Sequence, residues 1–211
     1  MSAGSTGITY VGHSTVLVDM DGVKLLTDPM LRQRVVHLRR AVKLDMRVVR
    51  GVDAVLISHL HFDHLDVPSL ERLGRELPLV VPRGGAGLLR RRGFRALTEV
   101  GVDERLTIGP VSVRPTHAVH SDERRPLGAK ADPVGYVLEG SHSVYFAGDT
   151  ELFDAMGELG PVDVALLPIW GWGKSLGRGH MDPEQAVEAA RRIRPSVVVP
   201  IHWGTYYPVH E

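Results

Sequence analysis

The segment Ala54-Val55-Leu56-Ile57-Ser58-His59-Leu60-His61-Phe62-Asp63-His64 decides how this chain is read. Its first four residues form a continuous apolar run too short for a helix, which suits a strand covered on both faces. Directly behind that run, His59, His61, Asp63 and His64 place four ligand-type side chains within six positions. In a loop leaving a strand, His59 and His61 can converge on one cation while Asp63 and His64 turn toward a second. Neutral imidazole and ionised carboxylate suit zinc and also tolerate iron or manganese. The competing interpretation is a surface loop that happens to be rich in histidine. The end of a buried strand, where sites tend to be built, argues for metal.

The totals narrow the chemistry further. There is no cysteine among the 211 residues, so disulfides, a thiolate nucleophile and a sulfur-based zinc site are all excluded. Donors must be His, Asp or Glu. The 25 basic and 25 acidic residues cancel, which removes any global electrostatic case for nucleic acid or an anionic membrane as partner. Neither a basic segment leading into an apolar one nor an apolar run of about 18 residues is present, so a cytoplasmic protein without membrane insertion is expected. A chain of this length fits a single domain, residues 1–211, burying roughly 70% of the surface that the unfolded chain exposes.

Outward from the quoted segment, Ile8 to Asp28 reads as a hairpin turning at Asp21-Gly22. Two more hairpins flank Gly109-Pro110 (Arg105 to Ile108, Val111 to Arg114) and Gly140-Ser141 (Val134 to Glu139, Ser143 to Ala147). The apolar runs Val164 to Leu167 and Val197 to Val199 suit buried strands. Asp182-Pro183-Glu184-Gln185 supplies an N-cap, a proline at the first helical position and a Gln at the third, predicting a helix to about Arg194. Leu70, Leu73 and Leu77 predict a second helix after Asp66, stopped by Pro78. Hairpins mixed with helix–strand units predict sheets covered by helices. The basic stretch Leu31 to Arg50 could be a helical insertion or a mobile flap, and its seven cations against one acid could be a solvated face or could attract a phosphate or carboxylate into a cleft.

These motifs resemble those of the metallo-β-lactamase superfamily, in particular the branch that includes ascorbate-6-phosphate lactonase-like proteins and N-acyl-phosphatidylethanolamine phospholipase D. The resemblance rests on His59 to His64 together with Gly12-His13-Ser14-Thr15, Thr27-Asp28-Pro29, His120, Ala147-Gly148-Asp149-Thr150 and Pro200-Ile201-His202. It implies an α/β fold, an αββα sandwich of two mixed β-sheets packed face to face with helices on the outer faces. It also implies two divalent ions, Zn2+ first and Mn2+ or Fe as alternatives. His59, His61 and His120 would bind one ion, Asp63, His64 and His202 the other, and Asp149 would bridge them. The third element has two candidates, His117 and His120, and the resemblance favours His120, which keeps the family's spacing from the preceding strand and is followed by a loop at Ser121-Asp122.

Metal-bound histidines usually give their other ring nitrogen to a carboxylate or carbonyl, and Asp28 is the candidate for that role, with His13 nearby. Asp28 before Pro29 is equally ordinary turn chemistry. The stretch Trp170 to His180, with Trp172, Lys174 and Arg178, could wall a pocket for an anionic small molecule with an apolar part, or simply cover the edge of the core. His180 is the candidate for binding substrate or protonating a leaving group.

The expected activity is hydrolysis of a phosphodiester, lactone or other ester by hydroxide held between two ions. Such a pair, about 3.5–4 Å apart, lowers the pKa of water from 15.7 toward roughly 7. Asp63 would also orient the hydroxide. Three alternatives remain open: an RNA-processing nuclease, a redox diiron protein on the same fold, and a non-catalytic metal-binding protein. Salt-dependent RNA binding, an absorption spectrum, and a substrate panel would distinguish them. Flavodiiron relatives typically carry Glu where this chain has His61.

Overall fold

Successive side chains of a strand face opposite ways, and this alternation sorts most apolar residues among three large cores, with a small fourth cluster of Met30, Val35 and Tyr206. The structure is a computed structural model that describes residues 5–35, 37–124, 128–170 and 177–208. From the N-terminus run β1 (Thr6–Gly12), β2 (Thr15–Met20), β3 (Val23–Thr27), the short β4 (Arg34–Val35) and β5 (Leu38–Arg40), and β6 (Ala54–Leu56). Helix α1 (Val67–Leu73), β7 (Leu79–Pro82), α2 (Ala86–Arg90) and β8 (Leu97–Val100) follow. Next come β9 (Leu106–Ile108), β10 (Val111–His117), the small hairpin β11 (Glu123–Arg124) and β12 (Ala129–Lys130), β13 (Val134–Glu139) and β14 (Ser143–Phe146). The chain ends with β15 (Val164–Pro168), α3 (Pro183–Ile193), β16 (Val197–Ile201) and β17 (Tyr206–Pro208).

Two six-stranded sheets result, ordered β1-β2-β3-β6-β7-β8 and β16-β15-β14-β13-β10-β9. Within them β3, β6, β7 and β8 run parallel, as do β14, β15 and β16, and the remaining pairs are antiparallel. Val16, Val18, Leu25, Leu56 and Val80 of the first sheet meet Val113, Tyr136, Leu138, Phe146 and Leu166 of the second in a central core. The residues between them point outward. Leu17, Leu26, Val55 and Leu79 pack under Leu70 of α1 and Leu89 of α2, while Tyr145, Ala165 and Leu167 pack under Ala189 and Ile193 of α3. The layers are therefore helix, sheet, sheet, helix, as expected.

All three anticipated hairpins form, and α3 carries the full capping box: Asp182 accepts from the backbone N–H of Gln185, whose side chain accepts from that of Asp182. Losing such a cap costs about 1 kcal/mol. Asp182→Ala should lower unfolding stability by that amount in urea titrations, with little change in the denaturant slope.

Three features differ from expectation besides the burial of β16, an edge strand whose Val197 and Val198 are exposed where a covered strand was expected. Helix α1 ends at Leu73, because Gly74 adopts φ 120 and breaks the helix before Pro78 is reached. Leu77 still packs on the core, from a loop. Secondly, the N-terminal region holds three strands, since Gly12-His13-Ser14 inserts a turn between β1 and β2. Thirdly, the basic stretch is no helical insertion. Its β4 and β5 form a three-stranded sheet with β17, pairing Arg40 with Tyr206. Arg40 is buried there, donating to the carbonyls of Met30 and Val11 and to the Tyr206 hydroxyl. Strands β7 and β8 and helix α2 had no clear signature in the sequence.

Candidate metal centre

The donors arrive from chain ends that the parallel strands bring to one edge of the sandwich. His59 to His64 follow β6, His120 follows β10, Asp149 follows β14, His202 follows β16, and His180 precedes α3. Ligand atoms of His59, His61 and His120 all lie within 4.8 Å of one another, and so do those of Asp63, His64 and His202 together with His13. Asp149 sits between the groups. Its Oδ2 is 3.0 Å from Nε2 of His64, 3.2 Å from Nε2 of His202 and 4.0 Å from Nε2 of His59. His59, His64, Asp149 and His202 are buried, whereas His61, Asp63, His120 and His180 are partly exposed, so the centre opens to solvent on their side.

A hydrogen-bond chain aims the rings. Asp28 accepts from Nδ1 of His64 at 2.7 Å and from the hydroxyl of Ser58. With its proton committed to Asp28, Ser58 Oγ accepts from Nδ1 of His59 at 2.9 Å. Because a carboxylate only accepts, both histidines carry their proton on Nδ1 and turn Nε2 inward. His120 is fixed likewise, its Nδ1 donating to the Gly179 carbonyl at 2.7 Å, while the Gly179 N–H donates to Glu151 at 2.8 Å. Asp149 owes its place to Gly148, which adopts φ 62 and would bring an added Cβ within 2.6 Å of Ser58 Cβ.

Charges follow from this crowding. Burial is the largest influence on Asp63 and Asp149 and acts upward, yet the imidazoles around them, His64 on Asp63 and His202 and His64 on Asp149, hold both well below the ordinary carboxylate range. Burial pushes His59 well below its usual value, His13 down to about 3 and His120 down to about 4. On His64 and His202 burial also acts downward, but the facing carboxylates, Asp149 first, lift His64 well above its usual value and His202 to about 9. A cation entering here would displace those protons.

Among the deeply buried side-chain atoms that lack a hydrogen-bond partner among the described residues are Nε2 of His59 and Oδ1 of Asp149. Such atoms cost free energy unless something else satisfies them. Imidazole nitrogens and carboxylate oxygens facing one another at these distances form a donor set that fits divalent metal ions.

The structure brings together every residue expected at the centre. His117 ends β10 exposed, its ring edge-on to Phe153 with centroids 5.2 Å apart, while His120 joins His59 and His61. Nε2 of His180 reaches Asp149 at 3.2 Å. Trp170 and Arg178 are exposed, and Trp172 and Lys174 lie outside the described residues. Sequence reading missed Ser58 and Gly179, which act through a hydroxyl and a carbonyl and carry no ligand signature.

A family model described as a β-lactamase superfamily domain matches residues 24–203. The chain belongs to the metallo-β-lactamase superfamily. An uncharacterised protein of Mycobacterium tuberculosis is 33% identical over 97% of this chain, which spans only 60% of that relative's length. UPF0173 metal-dependent hydrolase of Methanopyrus kandleri is 33% identical, with 97% of this chain and 86% of that protein covered. N-acyl-phosphatidylethanolamine-hydrolyzing phospholipase D 1 of Caenorhabditis elegans is 29% identical over 94% of this chain and 64% of its own length. Among solved structures of the superfamily fold, Igni18, a metallo hydrolase of Ignicoccus hospitalis, aligns with a TM-score of 0.73 at 30% identity, covering 94% of this chain and 83% of its own. No helix among the described residues is long and apolar enough to cross a membrane.

Proposed function

We propose that this chain is a hydrolase that works with two divalent metal ions, zinc first, on an anionic phosphodiester or, failing that, a lactone or related ester. His59, His61 and His120 would hold one ion, Asp63, His64 and His202 the other, with Asp149 shared. One observation carries the reading: the Asp149 carboxylate stands between two groups of imidazoles, 3.0 Å from His64 and 4.0 Å from His59. When bound, the ions supply Lewis acidity and a strongly acidified water.

The residues of the chain supply the rest. Asp28, Ser58 and the Gly179 carbonyl hold the ring tautomers, so little reorganisation is needed during reaction. Asp63, partly exposed at the mouth, has its Oδ2 3.5 Å from Nε2 of both His64 and His202, where it can orient the attacking water. His180, also partly exposed, can bind the substrate or deliver a proton to the departing oxygen, and its contact with Asp149 keeps the ring turned to the centre. The relative named as a phospholipase D supports placing phosphodiesters first.

The test is hydrolysis of a panel, bis(p-nitrophenyl) phosphate, an acylated lactone, a p-nitrophenyl ester and a thioester, by zinc-loaded and chelator-stripped protein. Zinc-dependent turnover, fastest on the phosphodiester, is expected. Two bound zinc ions with no turnover on any member would sink the hydrolase reading, and turnover confined to lactones would correct the substrate class.

A further inference from the structure

The turn between β1 and β2 carries a non-glycine residue at positive φ. His13 adopts φ 57, in the left-handed region that few non-glycine residues enter, although histidine is one of those enriched there. Gly12 before it adopts φ 131, and a Cβ there would lie 2.6 Å from an Arg40 guanidinium nitrogen and 2.7 Å from Thr205 Cγ2. The His13 N–H donates to Thr205 Oγ1 at 2.6 Å, and its carbonyl accepts from the N–H of His202 at 3.0 Å. The imidazole is 2% exposed, and its Nε2 donates to Asp63 Oδ2 at 3.0 Å. Its ring centroid is 4.0 Å from that of His202. A single residue thus grips Asp63 through its side chain and His202 through its backbone.

We propose that His13 is a positioning residue for the half of the centre formed by Asp63, His64 and His202. Its Nε2–H holds one oxygen of Asp63 and so sets the orientation of that carboxylate, and its carbonyl sets the exit direction of His202 from β16. The His59, His61 and His120 group has its own supports, Ser58 and Gly179, and does not depend on it. The inference rests on the two-ion reading above.

The test titrates the chelator-stripped full chain with Zn2+ against a chromophoric competitor. The variants are His13→Gly, which removes the ring and suits the positive φ, and His13→Gln, whose amide N–H can reach Asp63. In His13→Gly the first zinc should bind as in the wild type and the second 10–100-fold more weakly, the usual effect of losing a supporting partner. His13→Gln should recover most of that loss, and circular dichroism should show both metal-free variants folded. Should His13→Gly fail to fold, Thr205→Val, which removes the acceptor of the His13 N–H together with the Thr205 hydroxyl's contacts to the Trp203 carbonyl and the Tyr10 hydroxyl, should weaken the second ion alone, by less. Two ions bound with wild-type affinity in His13→Gly, equal weakening of both, or no recovery in His13→Gln would overturn the inference while leaving the two-ion reading intact. A wild-type protein that takes up only one zinc would overturn both.

Discussion

Asp149→Ala is expected to cut kcat/KM by about 10³-fold or more and to reduce bound metal to one equivalent or less, in a chain that stays folded. Each tenfold loss in rate is 1.36 kcal/mol, so the effect corresponds to about 4 kcal/mol of transition-state stabilisation, within what a metal site supplies. The cause is local. Asp149 is the carboxylate in reach of both imidazole groups, and without it His59, His64 and His202 face one another with one fewer negative charge among them. The fold should survive because Gly148, which the tight approach to Ser58 demands, is untouched. Elemental analysis, circular dichroism and initial rates on the best substrate decide the matter. Two metal equivalents and near-normal turnover in the variant would remove Asp149 from the bridging position.

The second large effect separates two histidines three positions apart. His120→Ala should lose one metal equivalent and about 10²–10³-fold in kcat/KM, roughly 3–4 kcal/mol at 1.36 kcal/mol per decade. His117→Ala should leave both within about twofold, since exposed residues away from a site rarely matter. The His120 ring lies with its Nε2 3.0 Å from Nδ1 of His61 and its Nδ1 on the Gly179 carbonyl, whereas His117 touches Phe153 at the surface. A reversed result, with His117→Ala stripping metal, would reject the arrangement at this end of the centre.

Much of this centre is legible in the residues themselves. His59, His61, Asp63 and His64 stand within one short loop, so their convergence needs only the strand ahead of it. Asp149 and His202 each follow an apolar strand, and the end of a strand is a predictable place. His117 and His120 were harder to separate, because alternation stops where β10 stops. What aims His120 inward is non-local. The N–H of Val119 donates to Thr150 Oγ1 at 2.9 Å and its carbonyl accepts from Glu151 at 3.0 Å, so the loop after β14 shapes the loop after β10. The basic stretch Leu31 to Arg50 is the clearest gap. Its strands exist by pairing with β17, far along the chain, and its charge pattern resembles a solvated face although Arg40 is buried.

Side-chain type and short-range spacing determined the cluster His59 to His64, the alternating strands, the turn at Asp21-Gly22 and the capped helix α3, because each depends on contacts within a few residues, whereas His120, Asp149 and His202 were expected from the family resemblance. Tertiary structure alone decided which ring of the His117/His120 pair turns inward, how the basic segment is paired, and that the turn at His13 reaches both Asp63 and His202. Those outcomes depend on hydrogen bonds between residues distant in the chain, whose energies exist only once the two sheets have closed upon each other.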